Sequence, residues 1–478
     1  MDGVSHARIE VQHVERYADR SVLRFHMTNL QKVWDNFAFA NTVGGMAGHT
    51  LQFDLLDPVG RKLYHPLWDN GGKGRQVGSI TKTRADPGVR LEMQLHFPPL
   101  PKEVRTVTLM TTSTAGEFNG VPVVEGKGSP TPRAPVLPEG IASPGTHYAL
   151  PVRRQEGEAP PWIDDLHGLA EGEVKSTSTT REEQRIGLRA DVLFDFDKAT
   201  LTPRAKEVLD DVAAQTKAEA DPSKPPIIIT GHTDGKGTPA YNRPLSQQRA
   251  DAVLAELRAR LGTAYQYKAE GKGETRPVAK EGGPDDEKAR ARNRRVEISY
   301  QIKQEQTQTT TSTTKGPVTP AGAAAPPAAF RPDDGPTVAS RTVESEGWNQ
   351  KRKRRIDVKP FYRDGAYLVA VFEITNLGPE SDSLSQSPYS DLGVGAFGAF
   401  SVLDPASKIT YKGVSVGPPT DDKGVVNNTR LDAGFATFLT EPNTTNRGFF
   451  YVPAPPPSTT KVTFNAGPFD HFTDVPIR

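Results

Sequence analysis

Arg8-Ile9-Glu10-Val11 near the start of the chain recurs as Arg355-Ile356-Asp357-Val358 near its end. Phe25-His26-Met27-Thr28-Asn29-Leu30 recurs as Phe372-Glu373-Ile374-Thr375-Asn376-Leu377, and Leu56-Asp57-Pro58 with Tyr64 recurs as Leu403-Asp404-Pro405 with Tyr411. All three matches keep an offset of 347 residues, and later ones such as Val121-Pro122-Val123 with Val475-Pro476-Ile477 shift it only to 354. Matches kept in order imply a duplicated domain. Each copy reads as short strands: Ser21–Met27 and Tyr367–Ile374 are rich in β-branched and aromatic residues, and both Asp-Pro pairs are turn signals. Neither copy has a helical stretch, so each is expected to be an all-β sandwich with immunoglobulin-like strand spacing.

Two biased stretches separate the copies from a central block. Residues 127–182 are rich in Pro, Gly, Ser and Glu, with one short helix expected around Trp162, Ile163 and Leu166. Residues 303–341 are Gln/Thr-rich and then Ala/Pro-rich. Such composition buries too little apolar surface to offset chain entropy, so both are expected to be linkers, the second extended and mobile. The chain of 478 residues then divides into 1–126 (first sandwich), 127–182, 183–302 (central domain), 303–341 and 342–478 (second sandwich). The 59 basic and 58 acidic residues give a net charge of +1, which offers no global attraction to nucleic acid or an anionic membrane. The absence of cysteine excludes disulfides, thiolate metal sites and Cys nucleophiles. No apolar run approaches the roughly 18–20 residues that span a bilayer.

The central block has a different pattern. Asp191–Phe196 alternates like a strand, Thr202-Pro203 opens a helix, and 225–229 is an apolar second strand. A long helix is expected over Pro239–Leu261, then strands near 265–270 and 295–300 with a short helix between them. This is a β-α-β-α-β-β order, an α/β (α+β) domain with helices on one face of a mixed sheet. Asp234 falls just past the second strand. Asn242, Leu245 and Arg249 are spaced to share one face of the helix that follows. The turn between them is expected to bring Arg249 toward Asp234, beside Phe196 and Asp197. A fixed carboxylate and a fixed guanidinium can take the ammonium and the carboxylate of one zwitterionic ligand.

The block resembles the OmpA-like peptidoglycan-binding domain family. The matching pieces are Phe194-Asp195-Phe196-Asp197, Gly231-His232-Thr233-Asp234, Tyr241-Asn242 with Leu245-Ser246 and Arg249-Ala250, Gly271-Lys272-Gly273, and Asn293-Arg294-Arg295-Val296-Glu297. They cover about a quarter of the chain, and here the domain is central rather than terminal. The resemblance implies a non-catalytic protein that binds the diaminopimelate-containing stem peptide of peptidoglycan through Asp234 and Arg249. It also implies supporting contacts from Phe196, Asp197, Asn242 and Leu245, with Thr233 and Arg294 as further supports, and no cofactor. The flanking copies resemble immunoglobulin-like modules of bacterial surface proteins. They are expected to be presented to the wall on flexible arms, where they can bind an envelope protein or polysaccharide. Met1–Ser5 shows neither a basic nor an apolar leader segment, which fits either a cytosolic protein or one whose signal has been removed; the resemblance of the central block implies the second, a secreted, wall-associated or periplasmic protein.

Competing readings are an adhesin or assembly scaffold, and a wall hydrolase. The hydrolase reading lacks support, since the histidines of the first copy do not recur in the second and His26 matches Glu373. His232 with Asp234 lacks a third metal ligand. Gly271-Lys272-Gly273 lacks the rest of a phosphate loop. The basic run Lys351–Arg355 reads as a solvated strand edge.

Overall fold

The computed structural model describes residues 7–32, 53–68, 76–80, 85–111, 115–137, 142–153, 161–283, 286–303, 325–347, 350–379, 389, 396–418, 427, 429–434 and 441–478. The chain starts with a β-rich body: β1 (Ala7–Arg16), β2 (Ser21–Asn29), β3 (Phe53–Asp57), β4 (Lys62–Tyr64), β5 (Gly78–Ser79), β6 (Arg90–Phe97), β7 (Thr106–Thr111), β8 (Glu117–Glu125), β9 (His147–Ala149) and β10 (Val152–Arg153). The antiparallel ladder β1–β2–β6 and the ladder β4–β3–β7–β8 close over a core that includes Phe25, Phe53, Leu55, Met93 and Leu109.

The region expected as the first linker carries β9 and β10, then β11 (Ile163–Glu171) and β12 (Lys175–Thr179). The helix expected around Trp162 is instead the start of β11. Ile163–Asp165 pair with β4, and Leu166–Glu171 pair with β22 (Ile409–Val416) of the last third of the chain. Spacing suggested a helix, but two distant strand edges offered this segment a full set of backbone partners.

The central body runs β13 (Glu183–Arg189), α1 (Ala190–Leu193), α2 (Pro203–Glu219), β14 (Ile227–His232), α3 (Pro239–Leu261), β15 (Tyr267–Gly273), α4 (Asp286–Asn293) and β16 (Arg295–Gln301). Its sheet order is β13–β16–β14–β15, with β14 and β15 parallel and the other pairs antiparallel. Thr202 caps α2 as its spacing predicts, accepting from the Ala205 N–H at 3.1 Å. The strand expected over Asp191–Phe196 is displaced into β13. Leu193 and Phe194 are buried side by side while Phe196 is 96% exposed, which is not strand alternation. The true period of two lies in Gln184, Ile186 and Leu188, hidden among charged neighbours.

The last body holds β17 (Ala339–Gly347), β18 (Gln350–Val358), β19 (Tyr362–Asp364), β20 (Tyr367–Asn376), β21 (Phe400–Asp404), β22, β23 (Thr445–Pro453), β24 (Lys461–Ala466) and β25 (His471–Pro476). The 347-residue offset also relates the ladders. Ile9 faces Met27 and Ile356 faces Ile374; Leu56 faces Leu63 and Leu403 faces Thr410. The basic run lies in β18, paired with β17 throughout and with β20 at Arg354 and Arg355, with Arg354 buried and Lys353 turned outward to Glu344.

The two β-rich bodies touch directly, contrary to the expectation of flexible arms. Tyr362 donates to Glu117 at 2.7 Å, and Arg447 bonds Glu117 and Asp334 through both arms of its guanidinium. Buried Asp364 accepts from Thr108, Asn119 and Tyr451. Leu56, Leu63, Met110 and Leu166 join the core of the last body. Residues 304–324 of the expected second linker lie outside the described residues. Its Ala/Pro end is docked, not mobile: Ala325 donates to Gly365, Ala328 donates to Asp364, and Arg331 stacks 3.5 Å over the Tyr362 ring. Among the described residues no helix is long and apolar enough to cross a membrane.

Candidate functional site

The site is built where α3 lies against β14 and β15. That approach depends on two residues without a side chain. A Cβ on Gly231 would lie 2.0 Å from the Ser246 carbonyl oxygen, and one on Gly271 would lie 2.5 Å from the Gln247 nitrogen. Ser246 and Gln247 then bind the β15 end directly, through the Gly273 N–H at 2.9 Å and the Gly271 N–H at 2.7 Å. Gly271-Lys272-Gly273 is therefore a helix-packing element rather than a fragment of a phosphate loop. Pro244 is tolerated early in α3, which runs unbroken from Pro239.

On the buried face of α3, Arg249 donates from Nε to the Lys198 carbonyl at 3.0 Å, and its guanidinium lies 5.2 Å from the Phe194 ring centre. Burial pulls its pKa down, against the charges of Asp191 and Asp197. Among the described residues no carboxylate stands within ion-pair distance of it. Above it, Tyr241 donates to Asp197 at 2.6 Å, and Asp197 holds a left-handed φ of 60°. Phe196 projects freely beside them, and Leu245 is half-buried. Buried Asn242 donates to the Lys236 carbonyl at 3.0 Å, and Lys236 N–H donates to Asp234 at 3.1 Å, so the helix fixes the turn that carries the aspartate.

Asp234 and Arg249 make no ion pair with each other, and each is held by other groups. The other oxygen of Asp234 accepts from Arg294 at 2.7 Å. Arg294 also binds Asp191 and Glu287, each at 2.8 Å. Three carboxylates around one guanidinium leave a local excess of negative charge and hold Arg294 firmly protonated. Arg294 reaches Asp234 because β16 runs antiparallel beside β14 and starts next to its end. Thr233 is buried, donates its N–H to the Gly273 carbonyl, and leaves its hydroxyl without a hydrogen-bond partner. His232 is buried 3.7 Å from Glu297, and no group of three His, Asp or Glu residues among the described residues is placed to hold a metal ion.

Residues 193–294 match the family model described as the OmpA family. Outer membrane protein A of Bordetella avium is 42% identical over 114 residues, which is 24% of this chain and 56% of that protein. The same-named protein of Klebsiella pneumoniae is 40% identical over 122 residues, 24% of this chain and 35% of that protein. The central block is an OmpA-family domain. The chain spans little more than half the length of these curated relatives, and less for most. Among solved structures, the cell wall anchor of the T6SS from Pseudomonas aeruginosa is 31% identical, covering 27% of this chain and 88% of that one, with a TM-score of 0.24. The peptidoglycan-associated lipoprotein of Burkholderia pseudomallei is 32% identical, covering 22% and 86%, with a TM-score of 0.18.

Within the OmpA-family domain, sequence spacing did not name the partners that support Asp234, although the resemblance implies a structural Asn293 in a turn and Arg residues bridging to acidic neighbours. Asn293 is fully buried; its Oδ1 accepts from the Val278 and Ala279 N–H groups, and its Nδ2 reaches Ala279 and Glu281. Glu281 in turn takes the Gly235 N–H. Asp191 and Glu287 gave no signal, because one lay in a mis-assigned strand and the other in a helix of charged residues.

Proposed function

We propose that the OmpA-family domain binds peptidoglycan non-covalently by gripping the diaminopimelate of a stem peptide. The observation that carries this reading is Arg249, a buried guanidinium whose described surroundings offer it a carbonyl and a ring but no paired carboxylate. A charge buried at a cost without a counter-ion is what a site awaiting an anionic ligand requires. Arg249 takes the ligand carboxylate. Asp234, set in the negative field around Arg294, takes the ammonium on lone pairs that Arg294 and Lys236 leave free. Phe196, Asp197, Asn242 and Leu245 flank the stem, and Thr233 and Arg294 hold the aspartate's end of the site.

In this reading the protein is non-catalytic and works in the cell envelope, secreted to the wall or periplasmic. The outer bodies are duplicated immunoglobulin-like modules that bind an envelope protein or polysaccharide. The ladders related by the 347-residue offset support the duplication. Sedimentation with insoluble peptidoglycan tests the assignment. Asp234→Ala and Arg249→Ala are each expected to weaken co-sedimentation about tenfold or more, and added salt is expected to weaken the parent's binding. Parent-like sedimentation of both variants defeats the reading. Clearing of a peptidoglycan zymogram would defeat its non-catalytic part.

A further inference from the structure

The two β-rich bodies differ at one sheet edge. In the last body, β18 is paired on both sides, with β20 on one and with β17 over all of Gln350–Val358 on the other. Just beyond, Phe361 makes a parallel bridge to Ile477. Moved back by 347 residues, Phe361 becomes Val14, which bridges Val123 of β8 in the same parallel sense. The β17-paired residues Arg354–Val358 become Ala7–Val11. There β1 has β2 on its inner side, and among the described residues no strand lies on the outer side. A register shift between Val11 and His13 marks where the β8 pairing begins.

The open segment is strictly two-faced. Ala7, Ile9 and Val11 are half-buried against the core of the first body, while Arg8, Glu10 and Gln12 are exposed. Their counterparts Ile356 and Val358 are fully buried, in a body whose β17 adds Ala339 and Val343 to the same core. An open, alternating strand edge is a template for another strand. What fits it can be read from its own side chains. If the segment pairs antiparallel with itself about Ile9, Ile9 faces Ile9, Ala7 faces Val11, and Arg8 faces Glu10 twice. Apolar residues then meet on the core face and opposite charges meet on the solvent face, each a favourable cross-strand pair.

We propose that this edge joins two copies of the chain: Ala7–Val11 pairs antiparallel with Ala7–Val11 of a second copy, centred on Ile9. The contact is isologous and closes at the dimer. It holds whether or not the central domain binds the wall.

The test is sedimentation velocity of the full chain over a micromolar concentration series, with circular dichroism to check that each variant is folded. The parent is expected to dimerise. Arg8→Glu sets Glu against Glu10 in both pairs, and Glu10→Arg sets Arg8 against Arg. Each variant alone is expected to raise the dimer dissociation constant about tenfold or more. Both substituted side chains are exposed; Glu10 also pairs with Arg90 of β6 at 2.9 Å, a surface pair whose loss costs about 0–1 kcal/mol, so the fold is kept. Mixed together, the two variants restore two opposite-charge pairs, and a heterodimer should form. Because the chain has no cysteine, Ile9→Cys gives a clean second readout: opposite Cα atoms of antiparallel strands, about 4.5–5.5 Å apart, lie within the span of a disulfide and permit an oxidised, covalently linked dimer. A monomeric parent at about 100 μM, a dimer indifferent to both charge variants, or a mixture that stays monomeric would overturn the proposal.

Discussion

Single side chains in this protein act through the partners that folding assigns them, and these are often not the partners their spacing suggests. Asp234 is held by Arg294, because β16 delivers a guanidinium to the end of β14. The residue types of the proposed clamp were legible in the motif. Its charge balance was not, since it depends on Asp191 and Glu287 meeting from separate elements. His65 makes the same point outside the site. It lies between Asp54 at 2.9 Å and Asp164 at 3.0 Å, with Trp162 against its ring, and so fastens β11 to the first body. Burial disfavours its charge, but hydrogen bonds to Asp164 and Asp54 and the charges of both outweigh burial and push its pKa up to about 9. A histidine raised on folding stabilises the fold fully below its ordinary value near 6.5 and loses that contribution as pH rises through about 9. Thermal melts between pH 7 and 10 should therefore show a loss on the order of 2–3 kcal/mol in the parent that His65→Gln does not show.

At the scale of elements, the sequence was most informative where local chemistry decides. The cap at Thr202, the long helix from Pro239 to Leu261 and the final strand from Arg295 stand where their signals place them. It failed at Asp191–Phe196 and at Trp162–Leu166, where strand or helix was settled by distant edges. The packing of α3 on β14 gives a sharp test. Gly231→Ala places a methyl group against the Ser246 backbone, which cannot yield as a side chain would. A loss of about 2–3 kcal/mol is expected. Among the described residues all α-helices lie in the central body, so urea unfolding followed at 222 nm reads its stability directly. The same variant should weaken peptidoglycan sedimentation, since Asn242 and Arg249 move with the helix.

For the whole molecule, the two β-rich bodies are joined by β11, by shared apolar contacts and by a polar network between them. The Glu117 side chain is 1% exposed and serves both Arg447 and Tyr362. Glu117→Ala leaves the Tyr362 hydroxyl one partner short and Arg447 with Asp334 alone, at a cost of about 3 kcal/mol. Calorimetry of the full chain should then show the outer bodies unfolding in separate steps where the parent unfolds them together. This coupling had no signature in the sequence, because Glu117, Tyr362 and Arg447 are far apart in the chain and none belongs to a motif.

The sequence by itself determined the β-rich character of the flanks, the repeat at 347 residues, the order of most central elements and the residues of the proposed clamp. Those features rest on periodicity, caps and short motifs, which act between near neighbours in the chain. Only the tertiary structure decided that β11 bridges both outer bodies, that the Ala/Pro end of the second linker is docked, and that Asp234 answers to Arg294 while Arg249 stands without a carboxylate among the described residues. Each of these depends on a strand edge, a carbonyl or a charge supplied from elsewhere in the chain, and no local pattern records what a distant segment will offer.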